Sequence, residues 1–153
     1  AGGFMLNNEL TDFSFLPDYD GLPVANRVEA GKRPLSSMSP TMIFDKNGNI
    51  HSLTGSPGGT SIIGYVAKSI IGLLDWEMSP QEAINVPHYM RKKEQTELEK
   101  DTELEKIKEI LIKKGHEVSI KRKRSGLHVA KKVDGGYIGG ADIRGEGTII
   151  QID

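Results

Sequence analysis

Three short segments of the chain carry residue types whose spacing suits chemistry on a charged small molecule. The first is Asn7-Asn8-Glu9-Leu10-Thr11-Asp12. If this segment turns, Glu9 and Asp12 converge, and two carboxylates on one turn hold an ammonium group through charge-assisted hydrogen bonds. A capped polar turn would use the same residues. The second is Lys32-Arg33-Pro34-Leu35-Ser36-Ser37-Met38-Ser39-Pro40. Each proline restricts the residue before it, so Ser36 and Ser37 are expected in an extended, rigid stretch suited to gripping a carboxylate, or simply in a Ser/Pro-rich loop. The third is Gly55-Ser56-Pro57-Gly58-Gly59-Thr60. Its glycines let the backbone approach a ligand, and a helix starting here would offer N–H groups with no intrahelical partner. Two such groups make an oxyanion hole; the alternative is a tight strand-to-helix turn. The segment is no phosphate loop, because the Gly-Lys-Ser/Thr ending is absent.

Other residues carry weaker signals. His51, His88, His116 and His128 show no metal-ligand spacing and are read as surface or hydrogen-bonded histidines. Lys121-Arg122-Lys123-Arg124 is a basic run, read as a solvated turn or a partner contact rather than a nucleic-acid site. Trp76 and Met78 are read as packing residues at a helix end.

Elements must position these segments. Phe4-Met5-Leu6 is expected as a short buried strand, followed by a polar, irregular stretch from Asn7 to Arg33. Thr41 to Phe44 and Ile50 to Thr54 flank Asn47-Gly48, a hairpin signal. Between Thr60 and Leu74, apolar Ile62, Ile63, Val66, Ile70, Leu73 and Leu74 recur at helical spacing. Ser79-Pro80-Gln81-Glu82 predicts a helix start with a capping box, ending before Pro87. Glu97 to Lys114 is expected as a largely solvated helix closed by Gly115. Strands are expected at Val118 to Ile120, Leu127 to Val133 and Gly136 to Ile138. Separated strand and helix runs make the fold class α+β.

Composition narrows the classes. The chain has 153 residues, enough for one ordinary domain, with 27% charged and 37% hydrophobic residues, which excludes simple disorder. Lys plus Arg is 20 against Asp plus Glu 21, a net charge of -1 that exerts no global pull on nucleic acid or anionic membranes. No Cys is present, so disulfides, thiolate nucleophiles and Cys-based zinc sites are excluded. No apolar run is long enough to span a membrane. The chain opens on Ala1-Gly2-Gly3-Phe4 with no basic n-region and no initiator Met, so a processed or truncated piece is expected.

Asn7-Asn8-Glu9-Leu10-Thr11-Asp12-Phe13, Gly31-Lys32-Arg33-Pro34-Leu35-Ser36-Ser37-Met38-Ser39-Pro40-Thr41 and Gly55-Ser56-Pro57-Gly58-Gly59 occur in this order. Together they closely resemble the small subunit of the gamma-glutamyltranspeptidases, from Ala1 to about Pro87 and again at Gly140-Ala141-Asp142-Ile143-Arg144. The resemblance implies an N-terminal-nucleophile hydrolase with an αββα sandwich, of which this chain is the C-terminal part of the small subunit. It implies that Glu9 and Asp12 bind the α-amino group of a γ-glutamyl substrate and that Ser36 and Ser37 bind its α-carboxylate. Asn7 and Asn8 would shape the pocket floor, and Gly58 and Gly59 would supply oxyanion N–H groups.

It further implies a nucleophilic Thr freed by autocleavage upstream of Ala1. Thr11, Thr41, Thr54 and Thr60 do not substitute, because none has a free α-amine to act as base. This stretch alone is therefore expected to be inactive. The implied partners are the large subunit of the same precursor and a γ-glutamyl small molecule or peptide, with no cofactor, metal, nucleic acid or membrane segment. A periplasmic or extracellular location follows for bacterial members, with a cytoplasmic one also open. Phe15 to Gly31 is shorter than in lid-bearing members, so a full lid is not expected. Ile143 stands where the family's Ala-Asp-Pro-Arg motif has Pro. The alternatives are a non-catalytic binding domain of the same fold, or a relative acting on poly-γ-glutamate or another amide such as a cephalosporin side chain. Retention of Glu9, Asp12, Ser36 and Ser37 argues for a free α-amino acid head group.

Overall fold

The structure, a computed structural model, describes residues 2, 3 and 6–150. It comprises two compact units, residues 1–37 and 38–153.

The first unit is built from turns. A single 3-10 turn spans Glu9–Asp12. Two-residue strands β1 (Asp18–Tyr19) and β2 (Leu22–Pro23) then pair antiparallel. Asp20 and Gly21 between them both have positive φ (51° and 74°), the mirror-image turn whose twist matches paired strands. The stretch expected to be irregular thus holds a small hairpin, because Asp-Gly tolerates the left-handed conformation. Phe13 is its one buried side chain among the described residues. Of the expected strand at Phe4-Met5-Leu6, Phe4 and Met5 lie outside the described residues, and Leu6 is exposed.

The second unit holds two sheets. Strands β3 (Thr41–Phe44), β4 (Ile50–Gly55), β8 (His128–Val133) and β9 (Gly136–Ala141) form an antiparallel sheet in the order β3-β4-β8-β9. The β3–β4 loop closes on Asp45, whose carboxylate accepts the N–H groups of Asn47 (2.8 Å) and Asn49 (2.9 Å). Helices α1 (Ile62–Leu74) and α2 (Pro80–Asn85) pack on one face of this sheet. The first buries Ile62, Tyr65, Val66, Lys68, Ser69, Gly72 and Leu73 at helical spacing. Of the expected stripe, Ile62, Val66 and Leu73 face inward, Ile70 is half-buried, and Ile63 and Leu74 are exposed. Ser79 and Glu82 form the expected capping box at the start of α2. Beside α2, Gly140 of β9 admits no side chain, since a Cβ there would come within 2.8 Å of the Gln81 backbone nitrogen. The core joins Tyr65, Leu73, Ala83, Ile84, Leu127 and Val129, with Met78 and Met90 against it. Met78 packs as expected, whereas Trp76 is half exposed (49%).

The second sheet is β5 (Tyr89–Lys92), β6 (Gln95–Glu99) and β7 (Glu117–Lys121). The β6–β7 pair is parallel and is joined by a 3-10 turn, Glu103–Ile107, and α3 (Lys108–Lys113). This corrects the expected single helix over Glu97 to Lys114. Its first residues form a strand, and the buried Glu97 and Glu99 find cationic partners remote in sequence. Lys121 (3.0 Å) and Lys123 (2.6 Å) grip Glu97, and Arg144 grips Glu99. Within the basic run only Lys123 departs from the solvated reading, its side chain being 4% exposed, whereas Lys121, Arg122 and Arg124 are exposed. Among the described residues, no helix is long and apolar enough to cross a membrane.

Candidate functional site

Within the first unit, the Glu9–Asp12 turn is held by local polar contacts. The Asn8 carbonyl accepts from the Thr11 N–H (2.9 Å) and hydroxyl (2.7 Å), and Asn7 Oδ1 accepts from the Glu9 N–H (3.2 Å). Glu9 is half-buried and Asp12 exposed, so two carboxylates stand on one helical turn. Residues 32–40 run without regular secondary structure through Pro34 to Ser36 and Ser37. The turn before them is set by Glu29, which pairs with Arg27 (2.8 Å) and Lys32 (2.7 Å). The Lys32 ammonium, followed by the Arg27 charge, holds the Glu29 carboxyl below its ordinary range.

Asn26 ties the acidic turn to the serine segment. Its Nδ2–H donates to the Asp12 carbonyl (2.7 Å), and its Oδ1 accepts from the Leu35 N–H (2.9 Å). Only one orientation of the amide satisfies a carbonyl on one side and an N–H on the other. Sequence reasoning did not single out Asn26, since an Asn in a polar stretch carries no local signal of a bridge. The acidic pair and the hydroxyl pair belong to one unit, and the Asn26 side chain links the segments that carry them.

Gly58 and Gly59 lie in the second unit, between β4 and α1. Gly58 has φ 142° and Gly59 φ 56°, both in the region that favours glycine. A short 3-10 turn, Gly59–Ser61, opens α1, and the Ser61 N–H donates back to the Gly58 carbonyl (3.2 Å). The N–H groups at such a start have no intrahelical acceptor. The two positions differ in their surroundings. A Cβ on Gly58 would come within 2.7 Å of Tyr65 Cε2, whereas one on Gly59 meets nothing within 4 Å. The Tyr65 ring thus backs the Gly58 side of the turn.

Behind Tyr65 lies a buried polar network. The His88 ring sits 4.1 Å from the Tyr65 ring, centroid to centroid, and its Nε2 is 2.7 Å from Ser125 Oγ. The Ser125 hydroxyl donates to Asp142 Oδ2 (2.5 Å), which also accepts from the Leu127 N–H (3.2 Å). Because the one hydroxyl proton of Ser125 goes to Asp142, His88 must donate to Ser125 through Nε2–H. The order is reversed from nucleophilic activation, in which the imidazole accepts the hydroxyl proton. Arg144 contacts Asp142 Oδ1 through its backbone N–H (3.0 Å) and Nη1 (3.0 Å), and it pairs with Glu99 through Nε and Nη2. Glu99 Oε2 in turn accepts from the His88 N–H (2.7 Å).

Charge states follow from this environment. Burial, reinforced by the Lys68 and Arg144 charges, pushes His88 down to about 3, so it stays neutral at ordinary pH. Burial, with Arg144 nearby, lowers Lys68 to about 8; its amine donates to the carbonyls of Val86 and Ile84. Burial alone would raise Asp142, but hydrogen bonds from Ser125, from the Arg144 and Leu127 N–H groups and from the Arg144 side chain hold it below its ordinary value. The turn at Asp142 closes although Ile143 stands at its second position: the Gly145 N–H donates to the Asp142 carbonyl (3.1 Å), and Ile143 points to solvent. Of this network the sequence analysis noted only Asp142 and Arg144 as a motif. Its other members are scattered along the chain, and no spacing rule finds them. Among the described residues, no three His, Asp or Glu side chains group as a metal site would require.

A family model described as Gamma-glutamyltranspeptidase matches residues 1–152. The chain belongs to the gamma-glutamyltranspeptidase family. It is 35% identical over 150 residues to the glutathione hydrolase proenzyme of Escherichia coli, covering 93% of this chain and 26% of that protein. It is 41% identical over 85 residues to the glutathione hydrolase proenzyme of Bacillus subtilis, covering 56% of this chain and 14% of that protein. The chain thus spans about a quarter or less of the length of these curated relatives. Among solved structures it resembles a mutant gamma-glutamyltranspeptidase of Helicobacter pylori. The TM-score is 0.78 at 34% identity, covering 94% of this chain and 82% of that one. The fold is accordingly that of the N-terminal-nucleophile hydrolase gamma-glutamyltranspeptidases, in keeping with the α+β class.

Proposed function

We propose that this chain is the C-terminal portion of the small subunit of a gamma-glutamyl transferase or hydrolase that cleaves γ-glutamyl amide bonds, as in glutathione. In the first unit, Glu9 and Asp12 receive the α-ammonium of the substrate, Ser36 and Ser37 receive its α-carboxylate, and Asn8 with Asn7 forms the pocket floor. In the second unit, the Gly58 and Gly59 N–H groups receive the oxyanion. The nucleophile is a Thr that the family resemblance assigns upstream of these residues, its own α-amine acting as base.

The chemistry runs in two halves. The Thr hydroxyl attacks the γ-carbonyl and gives its proton to the α-amine. Negative charge then builds on the carbonyl oxygen, where backbone N–H donors lower the barrier because their contact strengthens only as charge develops. Collapse expels the amine leaving group with that proton and leaves a γ-glutamyl ester on the Thr. Water, an amino acid or a peptide then attacks the ester by the same route in reverse. This chemistry calls for no cofactor. The remainder of the precursor, the leading part of the small subunit that carries the Thr together with a large subunit, completes the enzyme.

The observation that carries the reading is that the Asn26 side chain links an acidic turn to the segment of a hydroxyl pair in the same unit, in a chain that a family model matches over residues 1–152. A carboxylate pair and a hydroxyl pair suit the two opposite charges of a free α-amino acid head group.

Steady-state kinetics of the complete protein on γ-glutamyl p-nitroanilide test it. A hydrogen bond to a charged group contributes about 1.5–3 kcal/mol. The Ser36→Ala/Ser37→Ala double variant should therefore raise KM by about two orders of magnitude with a smaller change in kcat. Normal KM and kcat in that variant would reduce the segment to a rigid loop and remove the carboxylate assignment.

A further inference from the structure

We propose that Asn26 is a positioning residue that sets the spacing between the ammonium-binding and carboxylate-binding halves of the head-group clamp, and so makes the site selective for a free α-amino acid. The proposal rests on the functional reading above and deepens it.

Neither half of that clamp is held by a sheet ladder. Glu9–Asp12 is a single 3-10 turn, and residues 32–40 have no regular structure. The Asn26 amide bridges them, donating to the Asp12 carbonyl and accepting from the Leu35 N–H, one residue before Ser36. Both contacts are backbone contacts, so they fix chain positions rather than side-chain rotamers. Asn26 is itself anchored. Its carbonyl accepts from the Ser14 N–H (2.8 Å), and the neighbouring Arg27 N–H donates to the Val24 carbonyl (3.0 Å). Arg27 in turn pairs with Glu29.

An α-amino acid carries its ammonium and carboxylate on one carbon, so the two recognition segments must keep a fixed separation. A shift of either by a fraction of an ångström weakens both ionic contacts together. Asp12 and Leu35 are exposed, so water can replace the lost amide contacts when Asn26 is changed. The cost to folding is therefore small, while the cost to spacing remains.

The test compares two donors on the complete protein and on its Asn26→Ala and Asn26→Asp variants. One is γ-glutamyl p-nitroanilide; the other is glutaryl p-nitroanilide, which lacks only the α-amine. Asn26→Asp keeps the acceptor for the Leu35 N–H but turns a carboxylate oxygen toward the Asp12 carbonyl. In both variants the ratio of kcat/KM for the two donors should fall about tenfold or more, as expected for losing one charge-assisted contact. The change should sit in KM for the γ-glutamyl donor. The ratio is independent of how much enzyme is folded, so any active fraction gives the answer. A ratio equal to that of the unaltered protein, even at reduced activity, overturns the role of Asn26. An unaltered protein that shows no preference for the γ-glutamyl donor overturns the clamp reading itself and this proposal with it.

Discussion

His88 shows how burial decides what a side chain can do. With 1% of its surface exposed, it packs against the tilted Tyr65 ring and donates to Ser125, and the surrounding charges of Lys68, Arg144 and Lys123 oppose its protonation while that of Asp142 favours it. Its folded value of about 3 lies below its ordinary 6.5. The unfolded chain therefore binds a proton that the folded chain refuses, and stability rises with pH between these values. As pH falls from 6.5 to 4.5, the complete protein should lose about 2–3 kcal/mol of stability through this residue alone. Asp142 and Glu97, held below their ordinary values, add their losses only at lower pH. Denaturant melts between pH 7.5 and 4.5 check this. The His88→Gln variant, which keeps a donor for Ser125, should show a flatter profile, and an unchanged slope would contradict the assignment.

At the scale of elements, the turn between β4 and α1 separates two glycines that look alike in sequence. Gly58 has no room for a methyl group, because the Tyr65 ring lies 2.7 Å from where its Cβ would be and is itself backed by His88. Gly59 faces open space, and its φ of 56° is one that a larger residue adopts at a cost of about 1–2 kcal/mol. Gly58→Ala should therefore displace the turn and lower kcat by about 100-fold or more, the scale of losing one oxyanion donor. Gly59→Ala should keep the melting temperature closer to that of the unaltered protein. Paired kinetics and thermal melts of the two variants decide the point; equal effects would mean that Tyr65 does not set the turn. The misread helix over Glu97 to Lys114 belongs at this scale too. Charged residues in sequence suggest solvent, yet Glu97 and Glu99 are buried because cations from β7 and from beyond β9 reach them. That pairing is invisible until the strands are assembled.

For the second unit as a whole, α1 and α2 cover one face of the four-stranded sheet. The other face presents an apolar groove of about 660 Å³ lined by Met42, Leu53, Ala130, Ile138 and Ile149, among others. Met42, Ile138 and Ile149 stand exposed on it, and clustered exposed apolar side chains are a feature of interaction faces. We propose that strands from the rest of the precursor cover it, as the sandwich of this family implies. The 153-residue chain alone should accordingly associate or melt without a sharp transition, and it should not hydrolyse γ-glutamyl p-nitroanilide. Size-exclusion chromatography, a thermal scan and the anilide assay test all three. A compact, cooperatively melting monomer would contradict the exposed-face argument, and turnover near that of an intact relative would contradict the assignment of the nucleophile to a preceding segment.

By itself the sequence determined the features whose physics is local. Helix α1 was legible because apolar residues recur at one face's spacing, the start of α2 because Ser79 and Glu82 satisfy each other within four residues, and the β3–β4 hairpin because Asn47-Gly48 suits a tight turn. The Glu9–Asp12, Ser36–Ser37 and Gly58–Gly59 segments could be put forward as candidate sites for the same reason, since which groups donate, accept or carry charge follows from residue type. Only the tertiary structure decided which strand Glu97 and Glu99 belong to, that His88 is neutral and turned toward Ser125, that Tyr65 crowds one glycine and not the other, and that Asn26 joins Asp12 to Leu35. Each of these depends on groups distant along the chain meeting at hydrogen-bonding range, and on water being excluded once they do.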